Sequence, residues 1–256
     1  MSDFDRNAAA ARGGYAERAV AYDAGLRAHM IRVYNYMASA VALTGIVAFL
    51  IFQMVGGNSI TVSGGQISGL TPLGQFLFGG PSMWVLILSP LALVFALSFG
   101  IQRFSAGTAM LLFYLYAGLL GVSLATLFIT YTANSIANVF FISAAAFGAL
   151  SLYGYTTQRD LSAMGSFLIM GLIGIILASL VNLLLRSDAM SFAISVIGVL
   201  VFAGLTAWDT QKIKEMYDAN DDAQSAGRKA VMGALSLYLD FINLFLMLLR
   251  IFGSRR

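Results

Sequence analysis

Residues 233–253 read GALSLYLDFINLFLMLLRIFG, an apolar stretch with one acidic residue, Asp240, near its centre. A transmembrane helix needs about 20 mostly apolar residues, and this stretch is long enough. A carboxylate at the centre of such a helix costs about 2.5–3.5 kcal/mol to insert, so it normally faces a bundle interior or a water-filled cavity. The stretch therefore predicts a spanning helix surrounded by other helices, with Asp240 as a candidate functional group.

The composition of the whole chain is typical of an integral membrane protein. Of its 256 residues, 59% are hydrophobic and 11% are charged, whereas soluble domains carry roughly a quarter charged residues. We expect one membrane domain over residues 31–253, preceded by a segment over residues 1–30. That segment lacks the apolar core of a signal peptide, and we expect it to be a short cytoplasmic lead, partly disordered or weakly amphipathic.

Uncharged stretches long enough to cross a bilayer recur along the chain, separated by polar or glycine-containing breaks. They cover approximately residues 33–55, 83–102, 107–130, 136–157, 163–185, 189–212 and 230–251. We therefore predict an all-α polytopic membrane protein with seven transmembrane helices. The break after the first span is long, glycine-rich and uncharged, and it predicts an irregular surface loop or a short interfacial helix.

The distribution of basic residues predicts the orientation, because short cytoplasmic loops carry an excess of lysine and arginine. With the N-terminus in the cytoplasm, eleven basic residues fall inside and four fall outside. The outer four are Arg186, Arg250, Arg255 and Arg256. The three near the C-terminus fit poorly, so either the last helix is central and exempt from the rule or it does not cross completely. The sequence leaves the side of the C-terminus open.

Several functional classes are excluded by the residues present. The chain has no cysteine, which removes disulfides and thiolate chemistry. Its net charge of +3 is small and lies beside apolar segments, so it does not predict nucleic-acid binding. The single histidine precedes the first predicted span, no lysine lies in mid-membrane, and no glycine-aspartate element of an intramembrane protease is present. We expect neither an enzyme nor a resident cofactor.

Two acidic residues lie within predicted spans, Asp209 near the end of the sixth and Asp240 in the seventh. The two spans form a hairpin, and the midpoint between these residues falls in the polar linker, so we expect them at similar depth, about 12–15 Å from the cytoplasmic end. Two carboxylates in a poorly hydrated site favour sharing one proton. When ionised, they form a hard oxygen site suited to a cation such as Ca²⁺.

Structural alternatives exist for each of these residues. Asp240 can hydrogen-bond to a helix neighbour, and Asp209 can extend towards Lys212 and the interface. Asn243 lies one turn beyond Asp240 on the same face and can ligate, cap or pack. Arg103, at the end of the second span, can pair with Asp209 as a latch or anchor its helix at the cytoplasmic surface.

The segments around both aspartates resemble a known signature. Residues 233–253 together with 204–217, GLTAWDTQKIKEMY, closely resemble the Bax inhibitor family, and residues 134–155 and 151–182 resemble its bacterial branch. The resemblance covers about residues 30–253. It implies seven helices, with the C-terminal helix central and wrapped by the other six, and a location in the bacterial inner membrane.

The resemblance also implies two functions. The first is a pH-sensitive cation leak, chiefly of Ca²⁺, governed by a pair of aspartates that match Asp209 and Asp240. The family's arginine latch lies close to Arg103 but differs in register by about one or two residues. The second function, linked to some bacterial relatives, is a non-transporting regulator that binds and modulates a membrane-bound AAA protease.

Overall fold

The computed structural model describes residues 3–63 and 66–255, in which eight α-helices account for most of the chain. The helices are α1 Asp3–Met54, α2 Pro72–Phe78, α3 Ser82–Gly100, α4 Ala106–Thr130, α5 Ala133–Thr156, α6 Ser162–Leu185, α7 Asp188–Glu215 and α8 Ala223–Phe252. The side chains of residues 3–21, with Arg6, Arg12 and Arg18, and residue Arg256 lie outside what is described. The predicted all-α class is confirmed.

Seven of these helices are long and apolar enough to cross a membrane, as the sequence predicts. Polar side chains fix where several of them begin: Ser105, Thr132 and Ser187 each accept a hydrogen bond from a backbone N–H in the first turn of the helix that follows. Such caps satisfy donors that have no partner within the helix. The helix α1 begins at Asp3 and continues into the first span without a break.

The C-terminal helix α8 is the centre of the bundle, as the sequence resemblance implies. The most apolar part of α8 is 72% buried, whereas the other six spans are between 11% and 39% buried. It packs directly against α1, α4, α5 and α7, while α3 packs mainly on α4 and α6 mainly on α7. The outer position of α6 leaves a gap beside α8 that becomes important below.

The long break between the first two spans is more ordered than an irregular loop. It contains a short antiparallel hairpin of β1, Thr61–Ser63, and β2, Gln66–Ser68. The short helix α2 follows, capped by Thr71 and begun by Pro72. The sequence predicted either a loop or a short helix, and both are present, but the hairpin was not predicted.

The C-terminal tail fixes the path of α8. Residue Arg255 forms an isolated β-bridge with Tyr131 in the turn between α4 and α5, and Ser254 accepts from the backbone N–H of Thr132. The side-chain hydroxyl of Ser135 accepts a further hydrogen bond from the N–H of Ser254. The chain therefore ends on the side that holds the α4–α5 and α6–α7 turns, and α8 crosses the whole bundle. We call this the C-terminal side.

Close helix packing is concentrated at particular glycines. A methyl group added at Gly154 of α5 would overlap the backbone carbonyl of Ala207 in α7. On the same helix, a methyl group added at Gly148 would meet nothing within 4 Å. Small residues let membrane helices approach closely, and here only the first of these two positions is used in that way.

We expect Gly154→Ala to destabilise the fold by about 1–3 kcal/mol, because overpacking forces backbone shifts. Gly148→Ala is the matched control, since it makes the same chemical change on the same helix in open space. Unfolding of the two variants in detergent, followed by circular dichroism against denaturant, measures the difference. Equal stability of the two variants would contradict the close α5–α7 contact.

Candidate functional site

The helices α7 and α8 form an antiparallel hairpin whose register brings Asp209 next to Asp240. The side chain of Ile213 packs over Gly233, and that of Met247 packs over Gly198. These two contacts lie on either side of the aspartates, and their residue numbers have nearly the same sum as 209 and 240. The hairpin therefore places the two carboxyl groups at the same level, as the sequence predicts.

The depth of the pair differs from the prediction because the linker is not symmetrical. The helix α7 ends at Glu215, whereas α8 already begins at Ala223, well before its predicted span. Asp209 consequently lies six residues before the end of α7, a helix length of about 9 Å rather than the predicted 12–15 Å. Measured along α7, the pair is therefore nearer than predicted to the side of the bundle where α7 joins α8.

Asp240 is the more buried of the two carboxyl groups, with 5% of its surface exposed. Its side chain is within hydrogen-bonding reach of Asp209, which is half-buried. No donor among the described residues reaches the Oδ2 atom of Asp240. Since a carboxylate is only an acceptor, a hydrogen bond between the two groups requires that one of them carry a proton.

The pair lies at the floor of a cavity of about 730 Å³ between α6, α7 and α8, which we call the aspartate cavity. Its wall on the α6 side, from Ile169 to Leu183, is apolar except for Ser179. The rest of its polar lining comes from Asp209, Lys212, Ser236, Asp240 and Asn243. The gap between α6 and α8 thus gives the buried carboxyl groups a partly polar space beside them.

The cation that shares this cavity is Lys212, whose Nζ atom lies 5.0 Å from the centre of the Trp208 ring. Lys212 forms no ion pair with Asp209 among the described residues. Arg103 lies in the loop after α3, is exposed, and forms no ion pair with Asp209 in the described part of the chain. Of the two alternatives for Arg103, a latch on Asp209 or an anchor of its helix at the cytoplasmic surface, the exposed position just after α3 favours the anchor.

Asn243 lies one turn from Asp240 and lines the same cavity, as expected from its position on the helix. Its amide Nδ2 donates to the carbonyl of Leu239 at 2.8 Å, which leaves the amide oxygen free to face the cavity. Ser236, one turn before Asp240, also lines the cavity and was not predicted. Ser236 could have been predicted from the sequence, because residues four apart on a helix share a face and Ser236 lies four residues before the buried Asp240.

The fold and this acidic pair define a polytopic helical membrane protein with a central helix that carries a buried carboxyl group. The sequence profile of the Bax1-I family, inhibitor of apoptosis-promoting Bax1, matches residues 26–256. The chain belongs to this family.

Three relatives show the breadth of the similarity. The chain is 50% identical to the inner membrane protein YbhL of Escherichia coli over 91% of this chain and 94% of the relative. It is 47% identical to an uncharacterized protein of Rickettsia prowazekii, over 92% and 93%. It is 38% identical to an uncharacterized membrane protein of Streptococcus pyogenes, over 90% and 94%. The similarity covers nearly the whole length of each protein.

A proton shared between Asp209 and Asp240 would make the stability of the folded protein depend on pH. We expect the melting temperature of the wild-type protein to fall between mildly acidic and alkaline pH, because two ionised carboxylates repel each other in a poorly hydrated site. In Asp240→Asn, the amide can donate a hydrogen bond to Asp209 without a shared proton. The decrease in melting temperature should therefore be smaller than in wild type by at least about 2–4 °C, which corresponds to about 1 kcal/mol in a chain of this size.

Asp160→Asn is the control for this measurement. Hydrogen bonds from the side chain and backbone of Ser162 hold the pKa of Asp160 below its ordinary value. A carboxyl group whose pKa is lower in the folded than in the unfolded protein stabilises the fold at any pH above its pKa in the unfolded protein. That stabilisation is lost as the pH falls through its pKa in the folded protein. Asp160→Asn should therefore keep the wild-type profile above mildly acidic pH. Identical profiles for all three proteins would contradict a shared proton.

Proposed function

We propose that this protein is a pH-sensitive cation leak, with Ca²⁺ as the principal ion, and that the Asp209 and Asp240 pair controls it. The observation that carries the proposal is the Asp240 carboxyl group, buried against a second carboxyl group at the floor of a cavity. Ionisable residues at such depth normally mark ion or proton pathways. No covalent chemistry is assigned to the pair.

The lining of the aspartate cavity suits a hard cation in transit. The carboxylates of Asp209 and Asp240, the amide oxygen of Asn243 and the hydroxyl of Ser236 supply oxygen ligands, which Ca²⁺ prefers. Within the described residues, no group of three or more histidine, aspartate or glutamate side chains could hold a metal ion. Weak, incomplete coordination favours passage over tight binding, since an ion that conducts must also leave.

Two neighbouring cavities support a pathway towards the C-terminal side. The aspartate cavity shares Ser179 and Leu183 with a second cavity of about 710 Å³. We call the second one the arginine cavity, because Arg186, Arg250 and Arg255 line it. On the opposite side, Asp209 is about two helical turns from the end of α7. The pair therefore lies between one end of the bundle and a line of spaces that reaches the other.

Protonation gives this pathway a switch. With one proton shared, the two carboxyl groups hold each other and α7 stays close to α8. Loss of that proton adds a second negative charge, which attracts a cation and pushes the two helices apart. A local change of charge that biases a two-state element is the usual form of such a switch. The outer helix α6, which packs mainly on α7, is free to move with it.

Flux measurements test the proposal. Purified protein in liposomes that contain a Ca²⁺ dye should show a flux that changes with pH, and Asp240→Asn should flatten that pH profile because the pair can no longer exchange a shared proton. Asp160→Asn, which removes an exposed carboxylate in the loop between α5 and α6, outside both cavities, should keep the wild-type profile. A flux equal to that of empty liposomes at every pH would refute the leak.

We propose, as the second candidate, a non-transporting regulator that binds a membrane-bound AAA protease. The observation that favours it is the helical backbone of α1, which extends from Asp3 ahead of the apolar stretch over residues 33–55. This extension mixes acidic, basic and alanine residues, a composition suited to a docking helix at the membrane surface. It leaves the aspartate pair with a structural role.

Deletion of residues 2–20 tests this second candidate, because it removes the extension and keeps the span. Co-purification of the protease from detergent-solubilised membranes should be lost, while the melting temperature of the membrane domain stays within a few degrees of wild type. The Asp240→Asn variant is the matched control and should retain the protease. Recovery of the protease with the shortened chain would exclude the lead as its docking surface.

A further inference from the structure

The arginine cavity carries an unusual concentration of positive charge for its place in the fold. It lies on the C-terminal side, where Arg186, Arg250 and Arg255 line it together with one carboxylate, that of Asp188. The net formal charge of these four side chains is +2. The remaining lining is largely polar, with Ser179, Asn182, Ser191, Ser195 and Tyr131 among its members.

The backbone holds the three arginines at separately anchored positions. Arg250 lies in the last turn of α8, and Arg255 is bound through its backbone to Tyr131. Arg186 closes α6, where its N–H donates to the carbonyl of Asn182. The side chain of Asn182 then accepts from the N–H of Ser187 at 3.0 Å and donates to Ser191 at 2.7 Å. These hydrogen bonds hold the rim of the cavity in a defined conformation.

Arg186 adopts a backbone conformation that arginine rarely adopts. Its φ is 52° and its ψ is 38°, and it is the non-glycine residue with positive φ in the described part of the chain. Glycine or asparagine is usual at this position after a helix. A strained residue that persists at a site points to a function for its side chain, which here extends into the rim of the cavity.

The three guanidinium groups have no hydrogen-bond or salt-bridge partner among the described residues. Among the side chains that the structure describes, none forms a salt bridge with Arg186, Arg250 or Arg255, including the nearby Asp188. Three unpaired guanidinium groups around one polar cavity are complementary to a phosphate, because arginine presents several N–H donors in a planar fork.

The surroundings of the cavity select a lipid as the source of that phosphate. The exposed apolar side chains of Leu183 and Phe192 line it. It shares the lining residues Ser179 and Leu183 with the aspartate cavity, whose α6 wall is otherwise apolar. A headgroup on the arginines would thus have an apolar channel for an acyl chain directly beside it, which a free phosphate ion would not use.

We propose that the arginine cavity is a binding site for an anionic phospholipid. The phosphate of the headgroup contacts Arg186, Arg250 and Arg255, and one acyl chain lies between α6 and α8 in the aspartate cavity. Phosphatidylglycerol represents the ligand class, since its headgroup has a net negative charge. The proposal holds whether or not the protein conducts ions.

Lipid titration of the intact, detergent-purified protein tests the site. Bound lipid is counted by native mass spectrometry with short-chain phosphatidylglycerol and, in parallel, phosphatidylcholine of the same chain length. Wild type should prefer phosphatidylglycerol, and higher salt should reduce the preference by screening. Arg250→Gln and Arg255→Gln should each weaken binding roughly fivefold, since one basic residue near an anionic lipid contributes about 1 kcal/mol.

Arg186→Gly separates binding from folding. Glycine adopts positive φ without strain, so this variant should be at least as stable as wild type and yet bind phosphatidylglycerol roughly fivefold more weakly. Arg159→Gln, which removes an exposed arginine in the loop on the opposite side, should bind as wild type does. Arg250→Lys, which keeps the charge, should restore part of the affinity that Arg250→Gln loses.

Three results would overturn the proposal. The first is equal binding of the two lipids by the wild-type protein, which needs no variant to fold. The second is unchanged phosphatidylglycerol binding in Arg186→Gly and both glutamine variants. The third is competition by glycerol phosphate as strong as that by the whole lipid, which would assign the arginines to a free phosphate.

Discussion

The carboxyl group of Asp240 is the constraint on which the rest of this structure depends. A hydrocarbon interior offers no hydrogen bonds, so a polar group there must find them within the protein. The helix that carries Asp240 is the one most enclosed by the bundle, with 72% of its apolar segment buried. Four helices pack directly on it, and the fifth and sixth are held outside them. The partner that Asp240 finds, Asp209, is itself acidic, which makes the contact depend on a proton.

The position of α6 follows from the same constraint. If α6 packed directly on α8, the two carboxyl groups would lie in a dry core with no route for a proton or an ion. Instead, α6 lies on α7 and leaves the aspartate cavity beside the pair. The cavity has a polar floor and an apolar wall. On the side of α1, α4 and α5 the pair is enclosed by protein. On the side of α6 it borders the aspartate cavity.

The sequence was sufficient for the features that depend on length and periodicity. Seven spans could be counted because each is a long uncharged stretch, and the register of Asp209 with Asp240 could be inferred because two antiparallel helices rise equally per residue. The depth of the pair could not, because the early start of α8 at Ala223 depends on how the linker folds back. The position of Arg103 could be inferred, since it lies just after α3, which ends at Gly100.

The arginines at the C-terminal side required the folded structure most of all. In the sequence they were an exception to the charge rule that orients membrane helices, and the central position of α8 is sufficient to allow that exception. It does not explain why Arg186, far from α8 in sequence, adopts a left-handed backbone beside Arg250 and Arg255. That grouping appears only when the tail docks on Tyr131 and the α6–α7 turn closes.

The two charged sites constrain each other electrostatically. Three unpaired guanidinium groups at one end of a line of cavities repel cations, and in a groove of low dielectric this repulsion is stronger than it would be in water. A cation pathway that ends there needs a negative charge at its mouth, and a lipid phosphate would supply it. Its acyl chain would at the same time occupy the groove beside Asp240. The headgroup would therefore attract cations to the mouth, while the acyl chain would limit the space available to them beside Asp240. The lipid composition of the membrane would affect both the attraction and the space.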